Sequence, residues 1–175
     1  MSAPPDDPEY ARLIETSARL GADRSLVQGA GGNTSLKHDG VLWVKASGTW
    51  LMHAGERPIM VPVDRDALLA ALDRGDPDCE TSVAFVVAAL NPSGLRPSIE
   101  TTMHALLPQR VVLHVHCVDT IAWACRADAE RRLAPLLDGL DWAFVPYVRP
   151  GLPMTRGIEA AIRPTSDVIV LGNHG

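Results

Sequence analysis

Apolar positions in this chain recur at two spacings, and the alternation between them marks out its elements. Tyr10, Leu13, Ile14 and Leu20 fall near helical spacing behind Asp7-Pro8, a cap followed by a first-turn proline. Gly21 stops the run, which predicts a first helix packing one face on a core. Ser35–Lys37 and Val41–Lys45 read as strands around Asp39-Gly40, a strong hairpin signal. Ile59–Val63 reads as a short strand, and Asp64 caps an amphipathic helix through Leu68–Leu72 that ends before Gly75. Glu80–Leu90 is nearly apolar throughout and predicts a buried helix, ended by Asn91-Pro92-Ser93-Gly94. Ser98 caps a helix over Thr101–Leu107, with Glu100 in its first turn and Pro108 as its stop. Arg110–Cys117 then reads as a buried strand running into His114 and His116.

The rest of the chain alternates. Helices are expected over Asp119–Arg126 and Asp128–Leu137, and a strand over Trp142–Val145. Pro146–Gly151 forms a turn, and Thr155 caps an amphipathic helix through Ile162 that Pro164 ends. Asp167–Leu171 is the last strand and leads into Asn173-His174. Hairpins early and helical crossovers later imply a mixed sheet covered on both faces by helices.

Composition narrows the class. The 175 residues suffice for one domain with a sizeable core, and 46% hydrophobic with 21% charged content is that of an ordinary globular protein. A net charge of -5 argues against a nucleic-acid surface but leaves room for a small anionic substrate. No apolar run is long enough to span a membrane. The N-terminal stretch is acidic and proline-rich and lacks the blocks of a signal peptide. Cys79, Cys117 and Cys125 form no CxxC pair, so free thiols in a reducing cytoplasm are expected.

Candidate chemistry gathers at strand ends. His114 and His116 are one residue apart, so in a strand both imidazoles share a face. Two such histidines either hold a divalent metal or are an unrelated pair at a strand end, and a metal site needs a further ligand. Glu100 and His174 are the candidates. Leu26–Ser35 carries Gly29, Gly31 and Gly32 ahead of Asn33, Thr34 and Ser35, a loop that either cradles an anion or simply turns. It is not GxxxxGK[ST], so a Walker nucleotide site is excluded. Ser47-Gly48 after the second strand can approach the same anion or form an ordinary turn. Lys45 either assists or is solvated. The Ser98 helix end favours an anion, and Glu100 there either serves a metal or complements the helix dipole. His38 is expected at a solvated turn, His53 in a surface loop, and His104, four residues after Glu100 on one helix face, in packing or support.

Five motifs follow in order: Gly31–Ser35 (GGNTS), Lys45–Gly48 (KASG), Pro97–Glu100 (PSIE), His114–His116 (HVH) and Asn173–Gly175 (NHG). In this order, from about Leu13 to Gly175, the chain resembles the class II aldolase/adducin family, which includes fuculose- and rhamnulose-phosphate aldolases. The run from Val27 to Trp50 is most like the aldolase halves of rhamnulose-phosphate aldolase/dehydrogenase fusions. The resemblance implies a three-layer α/β/α sandwich with a mixed, mainly antiparallel central sheet. It implies Zn2+ or another divalent metal held by His114, His116 and His174, with Glu100 as resting ligand and catalytic base. It assigns Gly32, Asn33, Ser47, Gly48 and Ser98 to the phosphate of a small sugar or related carbonyl substrate. The implied activity is retro-aldol cleavage of a ketose phosphate by a cytoplasmic homo-oligomer, tetrameric by resemblance. Epimerase, dehydratase or decarboxylase chemistry on the same metal is the alternative, as is a non-catalytic adducin-like or truncated inactive domain. Adducin-like domains lack the metal histidines that this chain has.

Three departures stand out. Ile99 replaces a second serine of the fuculose type, and no tyrosine lies between His116 and Tyr147 to match that type's proton donor. The family's fold also continues beyond NHG, so a chain ending at Gly175 is expected to be a truncation of that domain.

Overall fold

Asp7 starts the first helix as its position promises. Its carboxylate accepts the Glu9 N–H at 2.8 Å, and α1 runs Pro8–Ala22. In this computed structural model the described residues are 5–175; Met1–Pro4, the beginning of the acidic N-terminal stretch, lie outside them. The hairpin forms as expected, with β1 Asn33–His38 and β2 Val41–Lys45 paired in register Ser35 with Val44. Asp39 at φ 48 and Gly40 at φ 77 supply the left-handed turn. The next strand is β3 Met60–Asp64, and Asp64 caps α2 Arg65–Asp73 by accepting the Ala67 N–H at 2.9 Å.

Then come α3 Thr101–Leu106, β4 Val111–His114, α4 Val118–Ala124, α5 Ala129–Leu133, β5 Trp142–Val145, α6 Leu152–Ala161 and β6 Val168–Leu171. Four strands make an antiparallel sheet in the order β3-β2-β1-β4, and β5 pairs parallel with β6. The strands are thus mainly antiparallel, as expected, but they fall into two ladders.

Alternation along β2 sends its side chains to two layers. Trp43 joins Leu36, Met60 and Leu13 of α1, with Tyr10 edge-on to its ring. Leu42 and Val44 join Val61, Val63, and Leu68 and Leu72 of α2 on the opposite face, where Ala105 of α3 also packs. Each leucine fully buried there contributes about 1.5–3 kcal/mol. A third cluster joins Met103 and Leu107 to Met154, Ile158, Val145 and Leu171, so α3 lies between the two ladders. No helix among the described residues is long and apolar enough to cross a membrane. The three cysteines are free thiols.

Four expectations are corrected. Glu80–Leu90 is not a buried helix but short 3-10 turns at Pro77–Glu80, Val83–Phe85 and Ala88–Leu90. Ser82 sits at φ 54, which breaks a helix, and the free edge of β3 recruits the segment: Val63 bridges Val86, and Val87 N–H donates to Pro62 O at 3.0 Å. The strand carrying His114 is an edge strand, with Val111 and Leu113 exposed rather than buried. Thr155 lies inside α6; Gly151 opens that helix, and the Thr155 hydroxyl donates back to Gly151 O and meets Thr102 Oγ1 at 2.7 Å. The second of the two helices after His116 stops at Leu133, because Pro135 cannot continue it.

Candidate metal centre

Two chain segments deliver the histidines. His114 ends β4, opposite Asn33 in the ladder with β1. The strand direction then continues along the loop after α1: His116 N–H donates to Leu26 O at 2.9 Å, and Val118 N–H to Ser25 O at 2.8 Å. The glycines of that loop have a local reason. A Cβ on Gly31 would lie 2.8 Å from His116 Nδ1, and one on Gly32, at φ 62, would lie 2.9 Å from His114 O. The loop can rest against the histidine segment only if both side chains are missing. His174 arrives from β6 through a tight turn, with Asn173 at φ 57 and His174 N–H donating to Leu171 O at 3.1 Å. Gly175 lets that turn close on the same segment, since a Cβ there would meet Val115 O at 2.8 Å.

The rings converge through their Nε2 atoms. His114 Nε2 lies 3.2 Å from His116 Nε2 and 3.2 Å from His174 Nε2. Three imidazole nitrogens on a tetrahedral zinc at ~2.0–2.1 Å would be roughly 3.3 Å apart, so both separations from His114 fit such an ion, and all three ligand atoms lie within 4.8 Å of one another. Glu100, buried, points its carboxylate at the same place, with Oε1 3.0 Å from His174 Nε2 and Oε2 3.6 Å from His114 Nε2. Burial pushes His114 down to about 4 and also lowers His116, so both are neutral at pH 7, the form that ligates. Burial would raise the Glu100 pKa. Hydrogen bonds from His174 and Asn33 and the potential of His114 outweigh it, and the carboxyl is held well below its ordinary range as an anion. Three imidazoles and a carboxylate are a donor set for a divalent cation.

The remaining candidates sit around this cluster. Ser98 Oγ accepts the Glu100 N–H at 3.2 Å and the Asn33 amide at 3.3 Å. Glu100 is therefore the residue before α3 and not within its first turn, because this small turn aims its side chain back toward the histidines. Asn33 Nδ2 also donates to Glu100 Oε2 at 2.5 Å. Ser47 and Gly48 form an exposed turn beside Pro97, held by the Ala46–Pro97 bridge and by Ser47 N–H to Arg96 O at 2.9 Å. Lys45 is not solvated. It is 2% exposed and donates to Ala30 O at 2.8 Å; burial pushes it down to about 8, against the pull of Glu100, so it is a cation at pH 7. His38 pairs with Asp7 and His53 with Glu56, both away from the cluster. Sequence reasoning missed the string behind Glu100, in which His104 joins Asn33 to Ser35. Its signals were the one-face spacing of Glu100 with His104 and of Asn33 with Ser35.

This geometry has a counterpart in known proteins. The profile of the Class II Aldolase and Adducin N-terminal domain matches residues 11–175. The chain belongs to this family. Among solved structures, the N-terminal class II aldolase domain of a conserved protein from Thermoplasma acidophilum superposes with a TM-score of 0.80 at 28% identity, covering 100% of this chain and 85% of that one. The L-fuculose 1-phosphate aldolase of Glaciozyma antarctica PI12 shares the fold, with a TM-score of 0.55 at 15% identity over 98% of this chain and 66% of that one. The chain is 30% identical, over 93% of its length, to the Bacillus subtilis (strain 168) protein YuxG, an uncharacterized oxidoreductase. It spans 25% of the length of that relative.

Proposed function

We propose that this class II aldolase-family domain is a metal-dependent aldehyde-lyase that cleaves a ketose phosphate by retro-aldol chemistry. The observation that carries the reading is the convergence of three imidazoles, with His114 Nε2 3.2 Å from the Nε2 of each of the other two, beside the Glu100 carboxylate. His114, His116 and His174 would hold zinc or another divalent cation. When bound, that ion supplies Lewis acidity toward a substrate carbonyl oxygen. Glu100 is the base: it is buried, ionised and aimed at the cluster, so it can take a substrate hydroxyl proton as the carbon–carbon bond opens. Gly32, Ser47, Gly48 and Ser98 bind the phosphate and fix the reacting carbon, with the buried Lys45 ammonium adding positive potential, while the Asn33 amide, first expected there, is committed to Glu100, Ser98 and His104.

Oxidoreductase chemistry, which the name of YuxG raises, finds no support in these residues. The glycine loop leads into β1 and not into a helix, so it offers no dinucleotide cradle. Epimerase, dehydratase and decarboxylase outcomes use the same cluster, and only products separate them. The family resemblance supports a cytoplasmic homo-oligomer, a tetramer.

The decisive experiment incubates zinc-loaded protein with a panel of ketose 1-phosphates and measures released dihydroxyacetone phosphate. Release that chelator abolishes supports the lyase reading. Substrate consumed without carbon–carbon cleavage moves the assignment to the epimerase or dehydratase class, and absence of bound metal after zinc loading would falsify it.

A further inference from the structure

His104 is wholly buried, with 0% of its surface exposed, and the reaction above makes no use of it. Its two ring nitrogens are both engaged. Nδ1 lies 2.7 Å from Ser35 Oγ, and Nε2 meets Asn33 Oδ1. The same Asn33 amide reaches Glu100 Oε2 through Nδ2 at 2.5 Å.

For a neutral ring, the form that full burial favours, only one arrangement of protons satisfies this string. The Glu100 carboxylate can only accept, so the Asn33 side that faces it must be the NH2. That leaves the Asn33 carbonyl facing His104. A carbonyl oxygen also only accepts, so His104 Nε2 must carry the ring proton. Nδ1 is then bare, and the Ser35 hydroxyl donates to it. Turned by half a rotation, the Asn33 amide would set its oxygen against the carboxylate and its NH2 against the imidazole N–H, two repulsive contacts in a buried site.

We propose that His104 is a positioning residue: its neutral Nε2–H tautomer locks the Asn33 amide with the NH2 toward Glu100, and so fixes the carboxylate beside His114 and His174. A histidine that merely filled core volume would accept either tautomer and would leave Asn33 free to turn. The inference rests on the metal-centre reading for its consequence, but the lock itself is measurable without turnover.

The test is nitrogen-15 NMR of the full chain. Histidine-labelled protein should show His104 with a protonated Nε2 and a bare Nδ1, unchanged between about pH 8 and about pH 5, where an ordinary histidine titrates. His104→Leu should shift the Asn33 side-chain amide signals and speed their exchange. It should also weaken zinc binding, read by chelator competition, by roughly 10–100-fold, the usual effect of losing a residue that orients a ligand. His104→Gln offers an N–H at the Nε2 position and should restore both. A protonated Nδ1 in the wild-type protein overturns the proposal. So does a folded His104→Leu protein whose Asn33 amide signals are those of wild type. If the chain binds no zinc at all, the lyase reading fails, while the tautomer and the Asn33 signals still decide the lock.

Discussion

Gly31 has an ordinary backbone conformation, so only space explains why it is glycine. A methyl there would press within 2.8 Å of His116 Nδ1 and 3.0 Å of Gln28 O. Gly31→Ala should push the His116 ring from the cluster, cutting zinc affinity at least ~10-fold and costing about 1–3 kcal/mol of stability. Calorimetric zinc titration and urea unfolding would show it; wild-type affinity would mean the ring does not depend on this contact. Glu100→Gln keeps the shape and removes the charge. It should leave the fold intact and abolish turnover, and a fully active variant would remove Glu100 as base. Acid acts on a neighbour. Burial pushes His104 from 6.5 down to about 3, so as pH falls the unfolded chain takes up the proton first. Stability should be full above about pH 6.5 and fall toward pH 4 by about 1.4 kcal/mol per pH unit per such proton, His114 adding to it. His104→Gln should remove one proton's share of that slope in urea midpoints.

At the scale of elements, the helix α3 is short and depends on what precedes it. Ser98→Ala would leave the Glu100 N–H without its acceptor and should cost about 1–3 kcal/mol, the range for a buried donor left unsatisfied. It should also lower turnover by loosening the Glu100 side chain; activity kept at wild-type level with reduced stability would separate the two roles. The elements that could be read in advance were those with one dominant local signal. Asp7-Pro8, Asp39-Gly40 and Asp64 each set a boundary through their own side chain or backbone. Segment 80–90 was illegible because the deciding partner is distant: apolar residues fit a helix as well as a strip alongside β3, and Pro62 and Val63 choose the strip. The HVH spacing revealed its histidines because a strand fixes which face they share. It could not reveal that β4 would lie at an edge, nor that Asn33 would stand opposite His114.

Across the whole molecule, the last third is joined to the rest by side chains and not by a strand ladder. Neither β5 nor β6 hydrogen-bonds to the four-stranded sheet. A cavity of about 300 Å3 lies in the seam, lined by Val112, His114, Ile158 and Leu171 among others. The seam is spanned by side chains: the packing of α3 on α6, the Thr102–Thr155 hydroxyl pair, Gln109 to Ser166 O, Arg156 to Leu72 O, the Arg149–Glu80 pair, and the meeting of His174 with His114 and Glu100. Removing metal with chelator, or making His174→Ala, should therefore raise amide exchange in Trp142–Val145 and Val168–Leu171 while β1–β3 stay protected. Equal protection in both ladders, with and without metal, would contradict this.

His114 and His174 stand sixty residues apart in the chain. An ion gripped by both is a reversible rivet across that span. A permanent cross-link of such length would restrain the unfolded polypeptide by roughly 4 kcal/mol, so if the proposed ion binds, its supply would set how long the segment after His116 survives proteolysis.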